Sequence, residues 1–143
     1  MAKLTAKHYI PLPPQEAWDK ASDLSGYESW LVVHDGWRGD LPEQLAVGTE
    51  ISSVVSVKGL RNRVKWIIKK YDPPRSISLK GDGKGGVKLG LQLEVTPSGE
   101  GSELSLTVEL GGAPLFGPIG SSVARALKGD VEKSLDKFVQ VYT

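Results

Sequence analysis

Apolar and polar residues alternate along most of the region from residue 49 to residue 110. In residues 87–95 and again in residues 104–110, every second residue is aliphatic, and the residues between them are polar or glycine. A period of two is that of a β-strand with one buried and one solvated face. Turn sequences such as "KGLRN" (58–62) and "TPSGEGS" (96–102) separate the runs. We therefore predict five hairpin-connected strands in an antiparallel sheet.

The C-terminal stretch, residues 118–142, follows a helical period instead. Apolar residues recur at spacings of three and four, and charged residues take the opposite side. A sheet with one solvated face needs a cover on its other face, and this amphipathic helix supplies one. Gly129 is its weak point, because glycine is a poor helix former.

The N-terminal part predicts one strand and two short helices. Residues 4–10 are strand-like, and Pro14 is placed where the first turn of a helix tolerates proline. A second helix is predicted from an N-cap at Ser25 to about Val33. Residues 34–47 show no period and are expected to form a long loop. The 143 residues are expected to form one domain, residues 1–143.

Charge and residue content exclude several classes of site. The net charge is +1, from 18 Lys and Arg against 17 Asp and Glu, so nucleic acid is not an expected partner. The absence of cysteine excludes disulfides and thiolate chemistry, and with only two histidines we expect no metal and no cofactor. No run approaches the ~18 apolar residues of a membrane span and no signal peptide begins the chain, so we expect a cytoplasmic protein.

One short segment, "GDGKGG" (81–86), satisfies the G-x-G-x-x-G pattern of dinucleotide-binding loops through Gly81, Gly83 and Gly86. That pattern needs a helix directly after the glycines, whereas the residues that follow alternate with period two. We therefore predict a hairpin turn with Asp82-Gly83 at its tip and Leu79 paired with Leu89.

The order of elements resembles the helix-grip fold of the START-like superfamily, which includes Bet v 1, START lipid carriers and polyketide cyclase/dehydrase-like proteins. Three segments extend the resemblance to an actinobacterial branch, similar to a mycobacterial protein described as the toxin of a type II toxin–antitoxin pair. They are "VKGLRNRVKWIIKKYDPP" (57–74), "LKGDGKGGVKLGL" (79–91) and "LGGAPLFGPIG" (110–120). The resemblance implies an α+β fold in which a curved antiparallel sheet of six to seven strands wraps around the C-terminal helix, with two short helices after strand 1.

This fold implies a cavity between the sheet and the long helix, for a lipid-like or polyketide-like small molecule. The inner face of the sheet is almost wholly aliphatic, which favours binding over catalysis, although the same residues could simply fill a dry core. The predicted lining residues are Trp30, Trp37, Ser53, Val55, Trp66, Leu79, Leu89, Leu91, Leu93, Leu106, Phe116, Ile119 and Val123. The glycines of "GGAPLFGPIG" (111–120) are either a simple connector or a hinge that lets the long helix move to admit ligand.

An enzymatic alternative depends on the segment "HDGWRGDLP" (34–42). His34 and Arg38 are expected at the rim of the cavity, where either could polarise a carbonyl in a cyclase or dehydratase reaction. The simpler alternative is a surface loop in which Trp37 plugs the rim and Arg38 pairs with an acid. The other histidine, His8, is expected to be structural.

A third hypothesis is a toxin that acts through a protein or RNA partner and is neutralised by a small antitoxin. Side chains alternate between the two faces of a strand, and this alternation places several basic residues on the outer face of the sheet. We call this set the basic stripe. Its members are Arg63, Lys65, Lys69, Lys80 and Lys88. The stripe could meet RNA, an acidic lipid surface or an acidic antitoxin, or could be a solvated face that resists aggregation.

Overall fold

The computed structural model describes residues 2–57, 59–112 and 118–143, the side chains of Ala2, Leu60 and residues 118–120 excepted. It has seven strands and three α-helices, with single 3₁₀ turns at Leu24–Gly26 and Lys84–Gly86. The strands are β1 (Ala2–Ile10), β2 (His34–Arg38), β3 (Glu50–Val57), β4 (Leu60–Asp72), β5 (Ser76–Gly83), β6 (Lys88–Ser98) and β7 (Gly101–Gly111). The helices are α1 (Pro14–Ala21), α2 (Tyr27–Trp30) and α3 (Pro118–Tyr142).

The strands form one antiparallel sheet in the order β1-β7-β6-β5-β4-β3-β2. Strands β2 to β7 follow one another as a meander, and β1 returns to pair with β7. The sheet curls around α3, and α1 and α2 lie between β1 and β2 in the chain. The α+β helix-grip architecture expected from the sequence is confirmed, with seven strands.

The core lies between the concave face of the sheet and α3. Every second residue of β6 and β7 is buried there, as the alternation predicts. Helix α3 contributes Leu127, Val131, Leu135 and Phe138, which are at most 2% exposed. The spacing of these four residues places them on one side of the helix, so the face that the sequence marks as apolar is the face that covers the sheet.

The first helices differ from expectation at their ends. Helix α1 begins at Pro14 as predicted. Asp23, not Ser25, is the N-cap of the following 3₁₀ turn, because its carboxylate accepts a hydrogen bond from the Ser25 amide at 3.1 Å. Helix α2 ends at Trp30, before the predicted end at Val33. The chain turns away there because the Val32 amide donates to Ser134 Oγ on α3, at 2.9 Å.

The prediction of a loop over residues 34–47 was wrong for its first five residues, which form β2. This strand lies at the edge of the sheet, and within the described residues it pairs with β3 alone, with a register shift between His34 and Gly36. Gly36 has a φ of +148°, a value that favours glycine. The shift interrupts the period of two, so the alternation that identifies the other strands is absent here.

The glycine segment forms a hairpin as predicted, but the predicted tip and register were wrong. Asp82-Gly83 continue β5, and the tip lies at Lys84–Gly86, where Gly85 and Gly86 have φ values of +73° and +85°. Leu79 therefore pairs with Leu91 rather than with Leu89. The segment leads into strand β6, so the helix that a dinucleotide loop requires is replaced by a strand.

No helix in the described ranges is long and apolar enough to span a membrane. Among the same residues, no group of three or more His, Asp or Glu side chains could hold a metal ion.

Candidate functional site

A cavity lies between the sheet and α3, and helix α2 and strand β2 close one side of it. Every strand from β2 to β7 contributes to its wall. The lining residues are Tyr27, Leu31, Val33, His34, Trp37, Ser53, Val55, Val57, Trp66, Leu79, Leu89, Leu91, Val108, Leu110 and Leu127.

The space in this cavity is narrow. The space between the lining atoms is about 500 Å³, a volume that includes open solvent at the mouth of the cavity. Water-sized spheres can be centred in only about 30 Å³ of it. A ligand larger than a few water molecules therefore requires the wall to move outward.

The wall is apolar apart from a few polar atoms, and three of these are already hydrogen-bonded. Trp66 Nε1 donates to Ser53 Oγ at 2.8 Å, and both side chains are buried. Trp37 Nε1 donates to the Leu24 carbonyl at 2.6 Å. These bonds fix both indoles with their rings toward the cavity and leave their N–H groups without further donor capacity.

Two other polar atoms of the wall, Tyr27 Oη and His34 Nε2, have no hydrogen-bond partner among the described residues. Tyr27 is fully buried, and His34 is 9% exposed. Burial raises the pKa of Tyr27, with a further contribution from Asp23, so its hydroxyl stays protonated. Burial lowers the pKa of His34 and outweighs the opposing effect of nearby Glu28 and Asp35. Near neutral pH the imidazole is therefore uncharged.

Tyr27 and His34 belong to an aromatic cluster that forms one side of the cavity. The two rings meet edge to face, with centroids 6.1 Å apart. Trp37 packs against both, at 4.5 Å from His34 and 5.8 Å from Tyr27. Because each ring is held by two neighbours, the orientation of the unpartnered atoms is set by packing.

The structure brings about half of the sequence-predicted lining residues to this cavity. They are Trp37, Ser53, Val55, Trp66, Leu79, Leu89 and Leu91. Trp30, Leu93, Leu106 and Val123 are buried elsewhere in the core. Phe116 lies outside the described residues, as does the side chain of Ile119. The proposed hinge over residues 111–120 also falls largely outside them.

Position along the strands explains which predicted residues are absent from the wall. Leu93 and Leu106 face each other in the β6–β7 register, farther from the hairpin tip than Leu89 and Leu91, and α1 packs against these two strands. Trp30 stacks edge-on against Phe138 of α3 at 5.1 Å, which places it in the core. The alternation of side chains along a strand identifies which residues face inward. It does not show how far along the strand the cavity extends.

Sequence reasoning missed several lining residues. Those outside its predicted set are Tyr27, Leu31, Val33, Val57, Val108, Leu110 and Leu127. Val57 follows the same alternation as Ser53 and Val55, and Val108 and Leu110 follow that of Leu106. The sequence therefore indicated that these three side chains face inward. The position of the cavity at one end of the sheet is what the sequence lacked.

His34 and Arg38 do not lie together. His34 is part of the cavity wall, whereas Arg38 is exposed at the end of β2 and does not line the cavity. Asp35 pairs with Arg61 on β4 at 2.7 Å, so it does not orient the imidazole of its neighbour. His8, the other histidine, lies on β1 with its Nε2 3.5 Å from Asp136 Oδ1 of α3.

The basic stripe lies on the outer face of the sheet, but acidic side chains interrupt it. Lys65 pairs with Glu50 at 3.3 Å, Lys80 with Glu109 at 3.2 Å, and Lys88 with Asp82. Arg63 and Lys69 are exposed on β4. Paired charges of alternating sign present a weaker positive field than the sequence pattern predicts.

Comparison with known proteins assigns the chain to a family. Residues 1–143 match the family described as "Polyketide cyclase / dehydrase and lipid transport". The chain belongs to this family. Two proteins of Mycobacterium tuberculosis cover 99% of the chain and are themselves covered to 99%. One, named a toxin, is 51% identical over 142 residues, and the other, named only as uncharacterized, is 50% identical over 142 residues.

Several solved structures share the fold at low sequence identity. A crystal structure of a protein from Thermus thermophilus has a TM-score of 0.76 and 20% identity, with 98% of this chain and 96% of that chain covered. Ara h 8.0201 has a TM-score of 0.66 and 15% identity, with 98% and 96% covered. At these identities the likeness concerns the fold alone.

Proposed function

We propose that this member of the family binds a hydrophobic small molecule, lipid-like or polyketide-like, between the sheet and α3. The observation that carries the proposal is an apolar wall, built by six strands and two helices, with few polar atoms. Burial of apolar ligand surface against such a wall contributes roughly 25 cal/mol per Å². Directional contacts are few, so shape and volume select the ligand more than hydrogen bonding does.

The lining favours binding over acid–base chemistry. The described lining residues include no carboxylate, amine or guanidinium group. His34 is the one lining side chain that titrates near neutrality, and Asp35 is engaged by Arg61 instead of orienting it. A single neutral imidazole without an orienting partner is a hydrogen-bonding group more readily than a general base.

A fluorescence titration with 1-N-phenylnaphthylamine, which emits strongly in apolar surroundings, tests the proposal. We expect saturable binding to the native protein. Val108→Phe fills the cavity from β7 and should weaken that binding, whereas Val141→Phe on the exposed side of α3 should not. Thermal unfolding confirms that both variants are folded. Equal binding by both variants, or no saturable binding at all, would refute the cavity as the site.

A second candidate is a toxin role, favoured by the relative that is named a toxin and is 51% identical over 142 residues. In this case the protein acts on a protein or RNA partner, and a small antitoxin covers the outer face near β2 or the basic stripe. Regulated expression in a mycobacterial host tests it. Arrested growth that persists with Val108→Phe would separate the toxin role from ligand binding, and unaffected growth would contradict it.

A further inference from the structure

We propose that the ligand of this cavity is uncharged and carries a hydroxyl or carbonyl oxygen that hydrogen-bonds to Tyr27 Oη and His34 Nε2. The inference rests on the proposed function and adds the polar chemistry of the ligand. The inference excludes a ligand that would place a carboxylate or ammonium group inside the cavity.

The two residues that carry the unpartnered atoms both line the cavity, and their rings pack edge to face with centroids 6.1 Å apart. Tyr27 is fully buried and His34 is 91% buried, since 9% of its surface is exposed. Neither Tyr27 Oη nor His34 Nε2 meets a hydrogen-bond partner among residues 2–57, 59–112 and 118–143. A buried polar atom without a hydrogen-bond partner is unfavourable, so native structures rarely retain one without a reason. Two of them in the wall of one cavity form a place for a ligand's polar group.

The tyrosine determines which kind of group fits. Burial holds the Tyr27 hydroxyl in its protonated form, so it can donate one hydrogen bond. The ligand must therefore present an acceptor oxygen to it. The neutral His34 ring carries one donor and one acceptor nitrogen, so Nε2 can either donate to a carbonyl oxygen or accept from a hydroxyl. A hydroxyl or carbonyl oxygen satisfies both residues, and a hydrocarbon satisfies neither.

The charges around the cavity exclude an anionic group. The described lining residues contain no Lys or Arg that could neutralise a carboxylate. Burial lowers the pKa of His34, which keeps the imidazole uncharged, and Glu28 and Asp35 are the acidic side chains that act on it in the opposite direction. A buried carboxylate without a cation carries a large desolvation cost. The cavity thus favours neutral oxygen groups over carboxylates.

The rest of the wall limits how much polarity the ligand can have. The indole N–H groups of Trp37 and Trp66 are already bonded to Leu24 O and Ser53 Oγ. The remaining lining side chains are aliphatic. We therefore expect one compact polar end beside Tyr27 and an apolar body that extends along β5, β6 and β7.

Three compact aromatic probes of matched shape test this: naphthalene, 2-naphthol and 2-naphthoate, each competing with 1-N-phenylnaphthylamine at about pH 7.5, where the first two are neutral. We expect 2-naphthol to bind about tenfold more tightly than naphthalene, which corresponds to one net hydrogen bond to each of two groups. We expect 2-naphthoate to bind more weakly than naphthalene.

Tyr27→Phe removes the hydroxyl and keeps the ring. It should lower the affinity for 2-naphthol to about that for naphthalene, while the affinity for naphthalene itself is retained. Tyr71→Phe removes a tyrosine hydroxyl outside the cavity and should keep the tenfold preference. Naphthalene binding in every variant reports on the fold of the cavity, so a misfolded variant is recognised.

The outcomes separate the two proposals. If naphthalene and 2-naphthol bind equally, or if Tyr27→Phe keeps the preference, the polar end is overturned and the hydrophobic cavity stands. If 2-naphthoate binds best, the cavity selects anions and the neutral ligand is overturned. If none of the three binds, while 1-N-phenylnaphthylamine does, the aromatic oxygen ligand is refuted. If no probe binds, the cavity proposal fails as well.

Discussion

Trp66 on β4 donates its indole N–H to Ser53 Oγ on β3 at 2.8 Å, inside the wall of the cavity. Trp66 is 6% exposed and Ser53 is 1% exposed, so water does not compete for the bond. Ser53 pairs with Val64 and Trp66 pairs with Ile51 in the register, which makes the two side chains diagonal neighbours on the inner face. The bond holds one of the two tryptophan side chains of the cavity wall in one orientation.

Ser53→Ala should destabilise the protein by about 1–3 kcal/mol, because the Trp66 N–H is then buried without a partner. Urea unfolding followed by circular dichroism measures the change. Ser52→Ala is the matched control, since Ser52 lies next in the chain on the outer face and is half-buried. Equal losses in the two variants would show that the indole bond contributes nothing to stability.

Gly81→Ala should destabilise by about 1–3 kcal/mol through overpacking. A methyl group at residue 81 would lie 2.6 Å from Val64 Cγ1 and 2.8 Å from Trp66 Cε3, too close for either atom. The variant should also displace the Trp66 ring and change its fluorescence emission. The first glycine of the apparent nucleotide motif thus has a packing role: it lets β5 lie against the indole. A variant as stable as the native protein, with unchanged emission, would disprove that role.

Gly129→Ala should stabilise the protein, by up to about 1 kcal/mol, and provides the contrast to Gly81→Ala. Gly129 lies on the exposed side of α3, and among the described residues, apart from its two neighbours in the chain and the backbone of its own helical turns, no atom lies within 4 Å of the position that its Cβ would take. Alanine lowers the entropy of the unfolded chain and favours the helix without a clash. Urea unfolding should show a higher midpoint and an unchanged slope. A lower midpoint would mean that the glycine is needed for a bend in α3.

The sequence predicted the fold because its strongest patterns are long. Strands β6 and β7 and helix α3 each show an uninterrupted period, and α3 has the predicted limits. Strand β2 was missed because it is short and bulged at Gly36. In the β5–β6 hairpin, the predicted pairing of Leu79 is displaced by two residues from the observed pairing. A shift of two residues leaves every side chain on its predicted face of the sheet. The inner face was therefore predicted correctly although the pairing was not.

The candidate site was predictable only in part. The alternation of side chains assigned Ser53, Val55 and Trp66 to the inner face of the sheet. It did not show where on that face the cavity lies. Tyr27 and His34 come together because the chain leaves α2 early, at Trp30, and returns as the edge strand β2. No periodic pattern encodes that path. The hydrogen bond from Val32 to Ser134, 102 residues away, helps to fix it and is not visible in local sequence.

His34 predicts how folding stability depends on pH. Its pKa is lowered in the folded protein by burial, so the unfolded chain binds a proton at a higher pH than the folded chain does. Well above about pH 6.5, the ordinary pKa of histidine, the ring is neutral in both states and contributes no pH dependence. As the pH falls below that value, the unfolded state gains a proton first, and stability is lost by at most ~1.4 kcal/mol per pH unit until the folded pKa is reached.

His34→Gln removes this proton uptake, so the variant should lose less stability than the native protein between about pH 7 and pH 5. Urea unfolding at a series of pH values measures the difference in slope, in which the carboxylates common to both proteins cancel. His8→Gln removes the other histidine and assigns the ring signals in an NMR titration of His34. Parallel stability curves for the native protein and His34→Gln would contradict the buried, neutral imidazole, and with it the uncharged lining on which a neutral ligand depends.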